Sequence, residues 1–600
     1  MSRSIIKKII SVMLCLPMLF ALPAGAYAAE AELTVTKDYQ IFFDNNELSA
    51  SAEYLNRFIK DICGYSLTIA DSKASAGKYI ILSVDPTLES GYNVSADGKN
   101  ITISGGSLRG VVDGICGFLT KYGGIRFYTS DTVVKTKSNI TIPASENYSY
   151  TPYFEMTETD WYSPCDLDYS LFNGISGTSY RKFPAELGGG AEYISSFAHT
   201  MTNQFCSKDK YFEDHRDCFA LCAGFRTKES LCLSNPETLE IVTAEVLDLL
   251  KEKHDPDADL QIVSLTQNDN ILFCTCPRCL ARYAKYGSIS GLTIEFANSV
   301  AREVKAAGYD NVAIDTFAYM YTRSAPKRIV PDDNIIVRLC SIECCFSHPL
   351  NDRFCTANVG FATDLKNWSE ICSRLYVWDY TTNYCNYIGI FPNFDVLQEN
   401  MQFFYENNVK GVYEEGNYSM TECDTEFGEL RSYLICKLMQ DPYCDIKAER
   451  AAFLNAYYGD GGRYIDEFID IISDSAASAH MSIYSSMKDT CSLSRKEIVH
   501  CDELWKSAES SASGEALRHV TDSELAWRYW KYKNNASEYK NIVTRKDTKA
   551  QYDEDIAAAP INAYRECSET KAFFLAILQV VRYFLGDVVH PFIYLINMMK

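Results

Sequence analysis

Between residues 150 and 440, strand-forming runs alternate with helical patterns, and this alternation constrains the fold more than any other feature of the chain. Eight β-rich runs recur, at residues 154–159, 193–199, 231–234, 260–265, 312–318, 335–339, 375–378 and 411–413. Helical stretches at 236–253, 292–307, 364–373 and 394–407 lie between them. Parallel neighbours need a crossover long enough to hold a helix, so strand–helix repetition builds a parallel sheet. Eight repeats predict a closed (β/α)₈ TIM barrel over 150–440. The third run fits this least well, as does the fifth-to-sixth connection, which passes Pro326 and Pro331 with no helical pattern.

A chain of 600 residues is too long for one hydrophobic core. Residues 30–148 read as a small α/β accessory domain. Ala52, Leu55, Ile59 and Ile62 recur at helical spacing before Gly64, and Asp97-Gly98 joins two alternating segments as a hairpin turn. A second helix over 108–122 ends at Gly123-Gly124. Beyond Asp441-Pro442 the pattern is helical and polar, with Phe453, Tyr457, Tyr464, Phe468 and Ile471 on one face. The predicted class is therefore α/β: an accessory domain, the barrel, and a helical domain over 441–570.

The two ends carry different signals. Arg3, Lys7 and Lys8 precede an apolar run at 9–22 and then Ala26-Tyr27-Ala28, which fits a signal peptide over 1–28 cleaved after Ala28. That run is shorter than the ~20 residues of a spanning helix. A secreted or cell-surface protein is expected. Residues 571–600 are apolar but interrupted by Arg582, Asp587, His590 and Pro591, which fits a helix packed on the protein or a peripheral membrane attachment. A net charge of −22 repels phosphate backbones, so no nucleic-acid partner is expected.

Acidic residues stand where strand-forming runs stop: Asp269 after QIVSLTQN, Asp379 in RLYVWDY, and Glu414-Glu415 after VKGVY. Residues at the carboxyl ends of barrel strands share one cleft, and facing carboxylates are the working parts of glycoside hydrolysis. Glu414 and Glu415 cannot both face that cleft while the chain is extended. Sugars offer apolar faces to rings and hydroxyls to polar groups. Trp161, Trp378 and Tyr380 supply rings; His199, Asn268, Tyr319, Arg338, Asn383 and Glu415 supply polar groups, with Asp160 beside Trp161. Arg338 reads either as a partner for a uronate carboxylate or as half of a structural ion pair.

Cys274, Cys276 and Cys279 crowd the loop after Asp269, and Cys232 or another strand-end loop offers a fourth thiol. Two structural readings stand: a zinc site or disulfide staples that fix the loop. No cofactor is required for carboxylate catalysis. No G-x-S-x-G elbow, Walker loop, H-E-x-x-H or strand-following G-x-G-x-x-G is present, which removes support for esterase, nucleotide, zinc-protease and dinucleotide chemistry.

The helix ending Ile62-Cys63-Gly64-Tyr65 and the segment ITISGGSLRGVVDGICGFLTKYGGIRFY at 101–128, with a barrel following at once, resemble the accessory domain preceding the barrel of bacterial α-glucuronidases and β-hexosaminidases. Leu231-Cys232-Leu233-Ser234-Asn235-Pro236, Gln267-Asn268-Asp269 with its following cysteines, and Tyr376-Val377-Trp378-Asp379-Tyr380 resemble the bacterial domain-of-unknown-function family 4838. The likeness spans about residues 30–480 and implies a glycan-directed barrel enzyme without supplying a reaction. Asn268-Asp269 further resembles the Asn-then-acid arrangement at strand four of a large clan of barrel glycosidases, with Asp where the clan has Glu. That resemblance implies Asp269 as general acid, Asn268 on a sugar hydroxyl, and Asp379 on strand seven as base or nucleophile. Glu414 is the alternative partner.

The expectation is an exported glycoside hydrolase acting on a poly- or oligosaccharide. The rivals are a non-catalytic glycan-binding surface protein and a metal-dependent hydrolase built on the cysteine loop.

Overall fold

The structure is a computed structural model that describes residues 31–177, 182–417, 426–534 and 549–559. The expected signal peptide at 1–28 and the apolar segment at 571–600 lie outside them.

The amino-terminal region is a six-stranded sheet in the order Asn147–Tyr150, Tyr92–Ala96, Ile101–Gly105, Lys78–Val84, Tyr39–Phe43, Thr68–Ala70. Helices Ser49–Cys63 and Leu108–Phe118 pack on it because their apolar residues recur at helical spacing: Ala52, Leu55, Ile59, Val111, Val112 and Ile115 are all buried. The first helix stops at Gly64, whose φ of 75° is left-handed. The second starts at Ser107, whose side chain accepts from the Gly110 amide.

The barrel sheet has seven parallel strands among the described residues: β1 Met156–Thr159, β2 Glu192–Tyr193, β3 Gln261–Ser264, β4 Val312–Ala318, β5 Ile335–Cys340, β6 Leu375–Tyr380 and β7 Val409–Glu415. Their order is β1-β7-β6-β5-β4-β3-β2, so the sheet curls until β1 and β2 are its two edges. The gap between those edges is spanned by Ser176 and Gly177. The Ser176 amide donates to Thr157 O at 3.2 Å on one side, and Gly177 bridges Ala191 in parallel on the other. Residues 176–177 thus take the place in the ring that follows β1.

The run at 231–234 is not a ring strand. It closes an antiparallel hairpin, Phe219–Cys222 against Phe225–Leu231, that stands on the loop between β2 and β3. Moving one position out of the third place and one into the second leaves β3 as strand four and β6 as strand seven of the ring. Helices Pro236–Lys253, Ser290–Ala306, Thr356–Ser369 and Phe394–Glu406 cover the barrel, and the β4-to-β5 connection holds only the short turn Met320–Thr322.

Arg109 of the amino-terminal sheet's second helix clamps the seam between β1 and β2. Its guanidinium donates to Ile175 O at 2.6 Å and Gly189 O at 3.1 Å, while Asp113 holds its Nε at 2.8 Å. After the barrel come helices Gly428–Gln440, Ile446–Tyr458, Gly462–Ala476, Arg495–Ser511 and Gly514–Lys533. No helix of the described residues is long and apolar enough to cross a membrane.

Candidate active site

Side chains on a strand point alternately to its two faces, which sorts every candidate into lumen or outer layer. Met156, Ile262, Ala313, Ile336 and Tyr376 form an apolar plug at the amino-terminal end of the ring. Two residues further along come Glu158, Asp315 and Arg338, all buried. Arg338 lies 3.4 Å from Asp315, whose other partner is the Tyr193 hydroxyl at 3.2 Å. The guanidinium is boxed by the rings of Tyr193, Phe197, Tyr376 and Trp378 at 5.3–6.0 Å. Burial pulls it below its ordinary value and pushes Asp315 well up. Arg338 is thus held against Asp315 one layer below the cleft and does not line it.

Above this layer opens a cleft of about 120 Å³, lined by His199, Asp269, Phe317, Tyr319, Trp378, Tyr380, Tyr384 and Glu415, with Cys340 and Ile342 beside them. Asp269 is exposed on the loop after β3 and accepts from the buried Tyr319 hydroxyl at 2.9 Å. Tyr319 continues the inward phase of Asp315 and Phe317 along β4, which is why its ring reaches the mouth. His199 has a φ of 57°, a left-handed conformation that sets its ring against Gln267 O, 2.8 Å from Nδ1.

Glu415 comes from the end of β7. Its Oε2 accepts from the Trp378 indole at 2.6 Å. Trp378 forms the floor, packed edge-on against Tyr413 at 4.7 Å and Phe317 at 5.6 Å, and tilted against Phe197 at 5.2 Å. One wall comes from beyond the barrel: Ile483 and Tyr484 line the same cleft. The Ile483 carbonyl accepts from the Tyr384 amide at 2.9 Å, and the Asn383 side chain donates to Ser485 O at 2.8 Å.

The other expected residues stand elsewhere. Asp379 and Glu414 are register partners on adjacent strands, one residue out of phase with Trp378 and Glu415, so both face the outer layer and are buried. Asp379 accepts from the Ser341 hydroxyl, and burial pushes its carboxyl up to about 6. Glu414 is pushed well above the carboxylate range by burial and then by Asp379. Asn268 turns from Asp269 to Thr202, donating to its hydroxyl. Asn383 shapes a turn by accepting from the Cys385 amide at 3.0 Å. Trp161 is buried under Gly416 and donates to the Thr381 hydroxyl at 3.0 Å. Asp160 lies beneath the cleft, holding the Tyr413 hydroxyl at 2.9 Å, and burial pushes it up to about 7.

Sequence reasoning passed over Phe317, Tyr384, Ile483 and Tyr484. Phase alone places Phe317 on the inward side of Tyr319. The other three sit on loops, where no periodicity operates.

The four cysteines come together. Cys232, at the end of the hairpin, and Cys274, Cys276 and Cys279 are buried, with sulfurs within 4.8 Å of one another. Cys232 Sγ is 3.7 Å from Cys276 and 3.8 Å from Cys279. A tetrahedron of thiolates around zinc, with bonds of about 2.3 Å, sets its sulfurs about 3.8 Å apart. The cluster ties the hairpin and helix Pro277–Tyr286 to the loop that begins at Asp269.

The family described as domain of unknown function (DUF4838) matches residues 127–470. No curated protein matches the chain. Among solved structures the chain is similar to a family GH115 4-O-methyl-α-glucuronidase with specificity for decorated arabinogalactans. The TM-score is 0.53 at 10% identity, covering 88% of this chain and 76% of that one. It also matches a GH138 enzyme targeting pectin rhamnogalacturonan II, at TM-score 0.44 and 11% identity over 86% of this chain and 90% of that one. A β-N-acetylhexosaminidase from Bacteroides fragilis matches at TM-score 0.41 and 9% identity, over 69% and 88%. At 10% identity the likeness to the GH115 enzyme is one of fold.

Proposed function

Because the chain belongs to the domain-of-unknown-function family DUF4838, whose name supplies no reaction, we propose from the cleft itself that it is an exported glycoside hydrolase acting on a poly- or oligosaccharide, with Asp269 and Glu415 as its carboxylates. The observation that carries this reading is that these two residues, from the ends of strands far apart in sequence, line one cleft with Trp378, Tyr380, Tyr384 and Tyr484. Rings take the apolar faces of a sugar and the carboxylates act on its glycosidic oxygen and anomeric carbon.

Asp269 stands at the mouth, where a leaving group departs to solvent, and serves as general acid. Tyr319 positions it. Glu415 receives the Trp378 indole N–H, which favours an ionised carboxylate, and serves as base or nucleophile. His199 and Tyr380 take sugar hydroxyls. Asp379 and Glu414 have no part in this reading, since both face the outer layer.

The cysteine cluster is read as a structural zinc site, because four sulfurs complete a tetrahedron and leave no position for a reacting water. That arrangement disfavours the metal-dependent hydrolase.

The test is a screen of the mature chain against aryl glycosides and plant or host polysaccharides, with Asp269→Asn and Glu415→Gln beside it. Turnover that falls by at least about 100-fold in both variants is expected. Binding of a glycan with no turnover by the parent chain would favour the non-catalytic rival.

A further inference from the structure

A second cluster of ligand atoms stands where the barrel meets the carboxyl-terminal helices. We propose that Cys345, His348, Cys355 and His480 form a zinc site that pins the segment carrying Ile483 and Tyr484 to the barrel, and so fixes one wall of the cleft.

The four ligand atoms lie within 4.8 Å of one another. Cys345 Sγ is 3.2 Å from His348 Nδ1, and Cys355 Sγ is 3.6 Å from His480 Nδ1. Tetrahedral zinc with Zn–S about 2.3 Å and Zn–N about 2.0 Å sets sulfur and nitrogen about 3.5 Å apart. The two imidazole rings sit 4.8 Å apart, inclined by 43°. Two thiolates and two neutral imidazoles are a donor set that suits zinc.

The surroundings prepare the ligands. His348 Nε2 lies 3.1 Å from Ala477 O, so that nitrogen carries the proton and donates, leaving the Nδ1 lone pair free to face the cluster. Asn358 is fully buried and dedicated to the ligand loop: its Oδ1 accepts from the Cys345 amide at 2.7 Å, and its Nδ2 donates to the carbonyls of Cys345, His348 and Pro349 at 3.0–3.1 Å. Cys355 immediately precedes helix Thr356–Ser369 and is buried.

Three of the ligands belong to the loop after β5 and one to the segment between Ala476 and Met487. That segment touches the same loop at both flanks of His480. The Ser347 hydroxyl donates to Ala479 O at 2.5 Å, and the Phe346 amide donates to Met481 O at 2.7 Å. Two residues beyond Met481 the chain enters the cleft as Ile483 and Tyr484. A metal held by His480 therefore cross-links two parts of the chain about 130 residues apart, and its free energy of binding becomes stability of the cleft wall.

This site is independent of the cysteine cluster after β3, so counting separates them. Metal analysis of the purified mature chain is expected to find two zinc equivalents, falling to one in His480→Gln and in Cys345→Ser/Cys355→Ser. His480 is exposed, so its replacement leaves the core intact if the double cysteine variant fails to fold. Cobalt substitution gives a second readout. The parent minus His480→Gln difference spectrum is expected to carry the weaker sulfur-to-cobalt band of two thiolates, against that of four in the remaining site. Limited proteolysis is expected to cut near Ser482 sooner in His480→Gln. Equal metal content in parent and His480→Gln overturns the proposal, as does a Cys345–Cys355 disulfide found by peptide mapping of the parent.

Discussion

The Trp378 indole donates to the Glu415 carboxylate at 2.6 Å across two neighbouring strands, while the residue after Trp378 pairs in register with the residue before Glu415. The first pair faces the cleft and the second pair, Asp379 and Glu414, faces the helices. Glu415→Gln keeps an acceptor for the indole and removes the charge. It is expected to lower kcat by about 10² to 10⁴. Glu414→Gln replaces a buried carboxyl held neutral by burial and is expected to leave kcat within about threefold. Steady-state kinetics of the two single variants on one aryl glycoside checks this, and equal losses would return Glu414 to the mechanism.

Tyr319 contributes a hydroxyl to Asp269 and a ring to the wall. Tyr319→Phe keeps the ring, so its stability cost should stay near 1 kcal/mol, the usual worth of one hydrogen bond. With its orienting donor gone, Asp269 is expected to lose about tenfold in kcat/KM, with kcat falling more than KM rises. A change in KM alone would make Tyr319 a sugar contact instead of a positioning residue.

The buried pair Asp379–Glu414 makes stability depend on pH. Because the folded state raises Asp379 to about 6, the native protein holds a proton that the unfolded chain has already lost above about pH 4. The native state binds more protons over that window, so stability falls as pH rises from about 4 to about 6, and the Asp379 part of the penalty is constant above. Asp379→Asn, which needs no ionisation, is expected to be more stable than the parent by about 1–3 kcal/mol at pH 7 and equal to it near pH 4. Thermal melts of both across that range read the difference directly.

These assignments show where the sequence was legible. Position along a strand places Asp269 and Tyr319 at the mouth, because the end of a β-rich run is visible in composition. Face is harder. Every second residue of RLYVWDY is inward, but the segment is buried on both sides, so its pattern is continuously apolar and Asp379 looks as well placed as Trp378. Depth misleads in the same way for Arg338, which is inward-facing but one layer below the cleft. The ring position after β1 leaves no pattern at all. Ser176 and Gly177 complete the seam with backbone groups and a single bridge, so nothing in their side chains reads as strand, while the apolar run at 231–234 does and belongs to a hairpin.

Gly416 follows Glu415 and lies flat on Trp161. A Cβ there would meet the ring at 2.7 Å, and a buried indole tied to Thr381 has no room to yield. Gly416→Ala is expected to cost about 1–3 kcal/mol by overpacking. The same displacement moves the end of β7, where the Gly416 amide holds Asp160. Activity should therefore fall together with the melting temperature, unlike Glu415→Gln, which should leave the melting temperature within about 2 °C because its hydrogen bond survives.

The cysteine cluster after β3 bears on the loop that carries Asp269. Hydrogen bonds from Cys274 and Cys279 hold Cys232 well below its ordinary thiol value, and the Cys274 thiol is pushed up in return, so these two thiols cannot lose their protons together without a cation. Zinc would supply that charge and join the hairpin Phe219–Leu231 to helix Pro277–Tyr286. Stripping the metal under reducing conditions is expected to lower the melting temperature by several degrees and to open the chain to protease between residues 269 and 280. Cys279→Ser should reproduce both effects without a chelator. A melting temperature that ignores the chelator while thiol titration counts these four cysteines as oxidised would identify the staples as disulfides.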